Sequence, residues 1–329
     1  MNGIMTISLD FEMMWGYLDC SDINGYGENV LGGKEAIPKM LELFSQYGVH
    51  ATWGVVGFIY KSGIEEAKKT IPEKLPSYKN PKYSAYSYLD EIKPEENRYF
   101  FAPELIQLIR NAPYQEIATH TYSHFYCVEK GQTKEQFEED LKTALETAAE
   151  NGDTGIKSII FPRNQGNPDY AEVLKENGIK AYRGNEEGVL YQPSGFEDSR
   201  NILRRGLRLM DAYIDLSGYH CKDIRELNEA GIVNVTASRY MRPYSKSRAI
   251  LEGLRLNRIK KQMTFAAENV KLFHLWWHPH DFGLNTDKNL ANLKEILEHY
   301  EFLNQKYGFE SKNIGEVADI CLNKKWLNL

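Results

Sequence analysis

The chain has 329 residues, enough for one large α/β domain or two ordinary ones. Hydrophobic residues at 42% and charged residues at 26% give an ordinary globular balance, with a core that needs no disulfide staples. A net charge of -6 argues against nucleic acid or an anionic membrane as a general partner.

Cys20, Cys127, Cys221 and Cys321 lie far apart and form no CxxC pair, which excludes zinc-ribbon and thioredoxin motifs. Reduced thiols in a cytoplasmic protein are the simplest expectation. Met1-Asn2-Gly3 runs straight into an apolar stretch without a basic leader, in keeping with that expectation. No stretch is long and apolar enough to span a membrane. The aromatic content (21 Tyr, 5 Trp) suits sugar stacking, but such rings also fill cores.

Ile4 to Leu9 predicts a buried strand, and Lys34 to Gln46 a helix ended by Gly48. Ala51 to Phe58 reads as a second strand. Residues 71–100, rich in Pro, Tyr and charge, read as an insertion. Pro103 to Asn111 is a predicted helix and Gln115 to Thr119 a strand leading into His120. Thr133 to Glu150 is a helix opened by the capping pattern Thr133-Lys134-Glu135-Gln136. Ile156 to Phe161 is a strand, Pro168 to Asn177 a helix, and Ile179 to Tyr182 a strand. Residues 184–230 read as an irregular second insertion. Ile232 to Ala237 is a strand, Lys246 to Glu268 a long basic helix, and Val270 to Trp277 a strand. Helices over Thr286 to Tyr307 and Ile314 to Leu322 complete the chain. The alternation predicts a single α/β domain, 1–329, of about seven βα units. That number fits a barrel of parallel strands better than an open sheet.

Chemistry-bearing residues gather at the predicted C-terminal ends of strands, the face where barrel active sites lie. In Asp10-Phe11-Glu12, strand alternation aims both carboxylates the same way, so either can be metal ligand or base. In His120-Thr121-Tyr122-Ser123-His124, the spacing suits one face of a helical turn and two ligands on one metal. Arg163, in Phe161-Pro162-Arg163, can hold a catalytic carboxylate by paired hydrogen bonds. In His274-Leu275-Trp276-Trp277-His278-Pro279-His280-Asp281, alternation sets His274, Trp276 and His278 on one side of the strand. His278, at the strand end, is placed to act as a general acid. Trp15, Trp276 and His280 are candidate substrate contacts.

In this order the motifs resemble those of the polysaccharide deacetylase family (carbohydrate esterase family 4), especially divergent members seen in surface-polysaccharide synthesis. His120-Thr121-Tyr122-Ser123-His124 matches the family's His-[Ser/Thr]-x-x-His motif in full. The resemblance implies a distorted (β/α) barrel and one divalent metal ion, for which zinc suits the ligand set. It implies Glu12, His120 and His124 as metal ligands, Asp10 as base, Arg163 as the residue orienting Asp10, and His278 as acid. Exchange of the two acids, and His280 in place of His278, remain alternatives. The implied reaction is removal of an N-acetyl group from an amino sugar in a polysaccharide precursor or glycoconjugate. Rival readings are a cyclic imide or ureide hydrolase on the same scaffold and a non-catalytic carbohydrate-binding protein.

Overall fold

A computed structural model describes residues 2–193, 195 and 201–323. Its strands are β1 (Ile4–Phe11), β2 (Ala51–Val55), β3 (Gln115–Thr119), β4 (Ser158–Ile160), β5 (Ala181–Arg183), β6 (Asn228–Glu229), β7 (Ile232–Asn234), β8 (Arg239–Tyr240), β9 (Leu272–Trp277) and β10 (Glu310–Ser311). They form one sheet in the order β6-β7-β5-β4-β3-β2-β1-β9-β8, with β10 beside the start of β1. Only the β6–β7 pairing among them is antiparallel. β1 to β5, β7 and β9 are the seven-strand parallel wall expected from sequence; β6, β8 and β10 are two-residue additions.

The sheet curls into a half-barrel within a single domain. The chain after β7 draws its edges together. Val235 N–H bonds Tyr182 on β5, whereas Ser238 N–H bonds His274 and Met241 N–H bonds Trp276 on β9. Polarity changes along the inner face. Ile4, Ala181, Val233 and Leu272 pack on Ile314, Val317 and Cys321 of helix Ile314–Leu322, which closes the end where the strands begin. Two residues at a time up β1 and β9, the inner face becomes Thr6 and His274, then Ser8 and Trp276, with Asp10 the next inward residue of β1. The outward residues Ile7, Leu9 and Phe11 join the main core, with Ile37, Met40 and Phe44 of helix Ile23–Gln46. Alternation thus gives each strand an apolar outer side and an inner side that turns polar toward the site.

Several boundaries differ from the sequence reading. The first helix starts at Ile23, capped by Asp22, well before the expected Lys34. Its early turns are glycine-rich, which hides helical periodicity. The glycines serve close packing: a Cβ on Gly33 would lie 2.7 Å from His280 Cα. The expected helix over Lys246 to Glu268 is a 3-10 stretch, Lys246–Leu251, followed by α-helix Glu252–Glu268. Within 184–230, read as irregular, the chain forms helix Ile202–Asp211. Its last residue, the buried Asp211, accepts hydrogen bonds from Arg239, Tyr191 and Ser217.

Candidate active site

Two carboxylates stand at the end of β1. Asp10 is the last inward residue of the strand; Glu12 precedes the 3-10 turn Met13–Gly16. That turn folds back so closely that a Cβ on Gly16 would lie 2.2 Å from the Glu12 carboxyl carbon. Both acids are buried. Burial alone would raise the Asp10 pKa, but Arg183 outweighs it and the carboxyl is held below its usual value. Glu12 likewise resists burial, through His278, His120 and His124, and lies well below the ordinary carboxylate range.

Glu12 is the acid that faces the histidine pair. Its Oε2 lies 3.3 Å from His120 Nε2 and 3.0 Å from His124 Nε2. The pair does not sit on a helical turn, as its spacing suggested. Residues 120–124 form a loop in which Thr121 (φ 64°) and His124 (φ 60°) are left-handed. Asp140, on helix Lys134–Glu150, clamps this loop. It accepts from Tyr122 N–H (2.7 Å), Ser123 N–H (3.3 Å) and Ser123 Oγ–H (2.5 Å). Burial pushes its own pKa up to about 6. His120 Nδ1 donates to the Ile160 carbonyl (2.8 Å), which fixes the tautomer and leaves the Nε2 lone pair facing Glu12.

The opposite side is the turn His278–Phe282. His278 N–H and Nδ1 both bond Asp281 Oδ2 at 3.0 Å, and Tyr240 O–H bonds the same oxygen at 2.8 Å. His278 Nε2 then lies 3.8 Å from both Asp10 Oδ2 and Glu12 Oε1. Burial would lower its pKa, but Asp281, Glu12 and Asp10 push it up to about 9. His280 stacks on His278 at 4.8 Å between ring centroids. Burial pulls its pKa down to about 4, aided by the charge on His278. Its Nε2 is buried without a hydrogen-bond partner, 3.8 Å from Glu12 Oε1. His274 is a structural residue: its Nδ1–H meets the Val235 carbonyl (3.0 Å) and its Nε2 meets Ser8 Oγ (2.8 Å).

Two expectations are corrected. Arg163 does not touch Asp10. Its guanidinium binds Asp19 (2.5 and 2.7 Å) and lies over the Tyr126 ring, because Arg163 is in a left-handed 3-10 turn (φ 54°) beyond β4. Asp10 is held instead by Arg183, the last residue of β5, through a two-pronged contact of 2.5 and 2.7 Å. Ser8, Asn164 and the Trp276 ring fix Arg183 in turn. The missed signal was a lone Arg at the end of the predicted strand Ile179 to Tyr182, inward by alternation with Ala181. Trp15 is not a substrate contact. The Met13–Gly16 turn tucks it into the core against Phe58, with its indole N–H on the Phe100 carbonyl (2.8 Å). Trp276 does line an open cleft next to the site, and its N–H bonds Glu186 (3.2 Å).

A divalent cation fits these residues. Glu12, His120 and His124 offer ligand atoms all within 4.8 Å of one another, and Glu12, His278 and His280 form an overlapping set. The fixed tautomer of His120 and the unpartnered Nε2 of His280 are what a ligand-bearing pocket requires.

Residues 22–182 match the family model for polysaccharide deacetylases. The chain carries a polysaccharide deacetylase-family domain. The match spans β2 to β4, the first two residues of β5 and the His120–His124 loop; Asp10, Glu12, Arg183 and His278 lie outside it. A protein of Mycobacterium smegmatis described as a polysaccharide deacetylase aligns over 98% of this chain and 92% of its own, at TM-score 0.58 and 14% identity. One of Pseudomonas aeruginosa, described likewise, aligns over 96% and 89%, at TM-score 0.52 and 11% identity. A branching enzyme of Pyrococcus horikoshii aligns over 97% and 70%, at TM-score 0.51 and 14% identity. At such identities the likeness shows a shared fold alone. A comparison with curated protein sequences finds no significant match.

Proposed function

We propose that the protein is a metal-dependent N-deacetylase of amino sugars in polysaccharide precursors or glycoconjugates, with zinc as the resident ion. The observation that carries this reading is the convergence of Glu12 on His120 and His124, with Asp10 and His278 alongside. Glu12, His120 and His124 would hold the ion, which supplies Lewis acidity toward the acyl oxygen.

Asp10 takes the proton from the attacking water as its oxygen bonds the acetyl carbon. Arg183 fixes the orientation of Asp10 through both carboxylate oxygens. Asp281 holds His278 by Nδ1, so that Nε2 faces the reacting groups. His278 Nε2 delivers a proton to the amide nitrogen as the C–N bond breaks. Acetate and a free amine leave. A cytoplasmic setting belongs to this reading.

The test is acetate release from a panel of N-acetyl amino sugars, set against hydrolysis of cyclic imides and ureides. Acetate release from the sugars alone is expected. Turnover of imides with none of the sugars would overturn the reading in favour of the rival hydrolase. Sugar binding without turnover under any divalent metal would favour a binding protein.

A further inference from the structure

The cleft beside Trp276 carries more positive charge than amide hydrolysis calls for. Arg163, Arg208 and Arg242 line it together with Tyr240, Trp276 and Glu186. Asp19 neutralises Arg163. Arg208 donates to the Leu190 carbonyl and lies over the Tyr191 ring at 5.3 Å. Arg242 lies over the Tyr240 ring at 5.6 Å. Neither meets a carboxylate within ion-pair distance among the described residues. Arg242 is close enough to disfavour the charge on Arg208. Burial, then Arg204, and also Arg242, lower the Arg208 pKa. Glu186, the one acid lining the cleft among the described residues, accepts from Trp276 and is not ion-paired to either arginine, so Arg208 and Arg242 leave positive charge facing the cleft, which suits an anion.

The cleft adjoins the reacting groups through Trp276. Arg183 stacks on Trp276 at 4.3 Å while holding Asp10, and the Trp276 and His278 rings are 5.6 Å apart. Its volume is about 190 Å³, on the scale of a sugar ring with one substituent.

We propose that Arg208 and Arg242 bind an anionic group, a phosphate ester or a uronate carboxylate, attached to the sugar whose N-acetyl group is removed. This rests on the deacetylase reading and adds a substrate class to it. Trp276 gives the sugar an apolar face, and the arginines read the charge.

Calorimetry and kinetics together test the proposal. The probes are N-acetylglucosamine, its 1-phosphate, and a disaccharide of N-acetylglucosamine with glucuronate. At least one charged probe should bind about tenfold or more tighter than the neutral sugar, the size of one charge-assisted hydrogen bond. The preferred charged probe tells phosphate from carboxylate. In Arg242→Gln, which loses only a ring contact within the protein, the ratio of charged to neutral kcat/KM should fall about tenfold, mainly through KM. Arg208→Lys keeps the charge but loses the planar fork, and should fall part of the way. Rising salt should erode the preference in wild type more than in Arg242→Gln. Equal affinity for charged and neutral probes, or an unaltered preference in both variants, overturns the proposal. Tight binding of a charged probe with no acetate released from any metal-supplemented protein sinks the deacetylase reading and leaves the anion site standing. Acetate release without charge preference does the reverse.

Discussion

The floor of the site and its cationic wall are built in different ways. On the floor, Asp10, Glu12, His120 and His278 each lie within one residue of a strand end, so the register of β1, β3 and β9 sets their separations. The wall comes from residues 185–193, helix Ile202–Asp211 and Arg242, tied down by side chains such as Asp211 with Arg239. A strand end is fixed by backbone hydrogen bonds shared with both neighbours. A loop wall depends on a few polar contacts and tolerates change. Floor substitutions should therefore act on turnover, and wall substitutions on which substrate is accepted.

The largest effect should come from the floor. Asp10→Asn keeps the shape but removes the proton acceptor, and acetate release should drop about a thousandfold. A loss confined to KM would break the distinction between floor and wall. Next is the clamp beneath the histidine loop. Asp140→Ala strands two buried N–H groups and a hydroxyl, a loss of about 2–4 kcal/mol that thermal unfolding would register. An unshifted melting temperature would mean that the loop holds itself. The two arginines sharpen the contrast further. Arg183→Lys loses the two-pronged hold on Asp10 and should lower kcat about 10- to 100-fold. Arg163→Lys, whose partner is Asp19, should alter KM more than kcat. The reverse ranking would restore Arg163 as the orienting residue. The smallest expected effect is Trp15→Phe, which loses one buried hydrogen bond and some packing, about 1–2 kcal/mol of stability, with KM little affected. A large rise in KM would return Trp15 to the substrate.

The same contrast explains what was legible in the sequence. Asp10, Glu12, His120 and His124 stand out because strand ends bring short local motifs together. The parallel strand order follows from alternating elements for the same reason. Arg183 carries no local motif; its meaning is a contact between β5 and β1, and only the folded sheet supplies it. Asp140 is likewise one acid on a charged helix until the loop above it is in view. Helix Ile202–Asp211 escaped although Leu203, Leu207 and Met210 recur at helical spacing, because it is short, is interrupted by Gly206, and leaves Ile202 and Leu203 exposed. The left-handed residues of the histidine loop also escaped, since nothing in His-Thr-Tyr-Ser-His separates a loop from a helical turn.

The central claim is that Glu12, His120 and His124 hold an ion on which deacetylation depends. Its most direct test is acetate release from an N-acetyl amino sugar by chelated protein, before and after one equivalent of zinc is restored. No release is expected after chelation, with recovery on adding zinc and none in His124→Ala. Undiminished release from fully chelated protein, or full zinc-dependent recovery in His124→Ala, would contradict that claim.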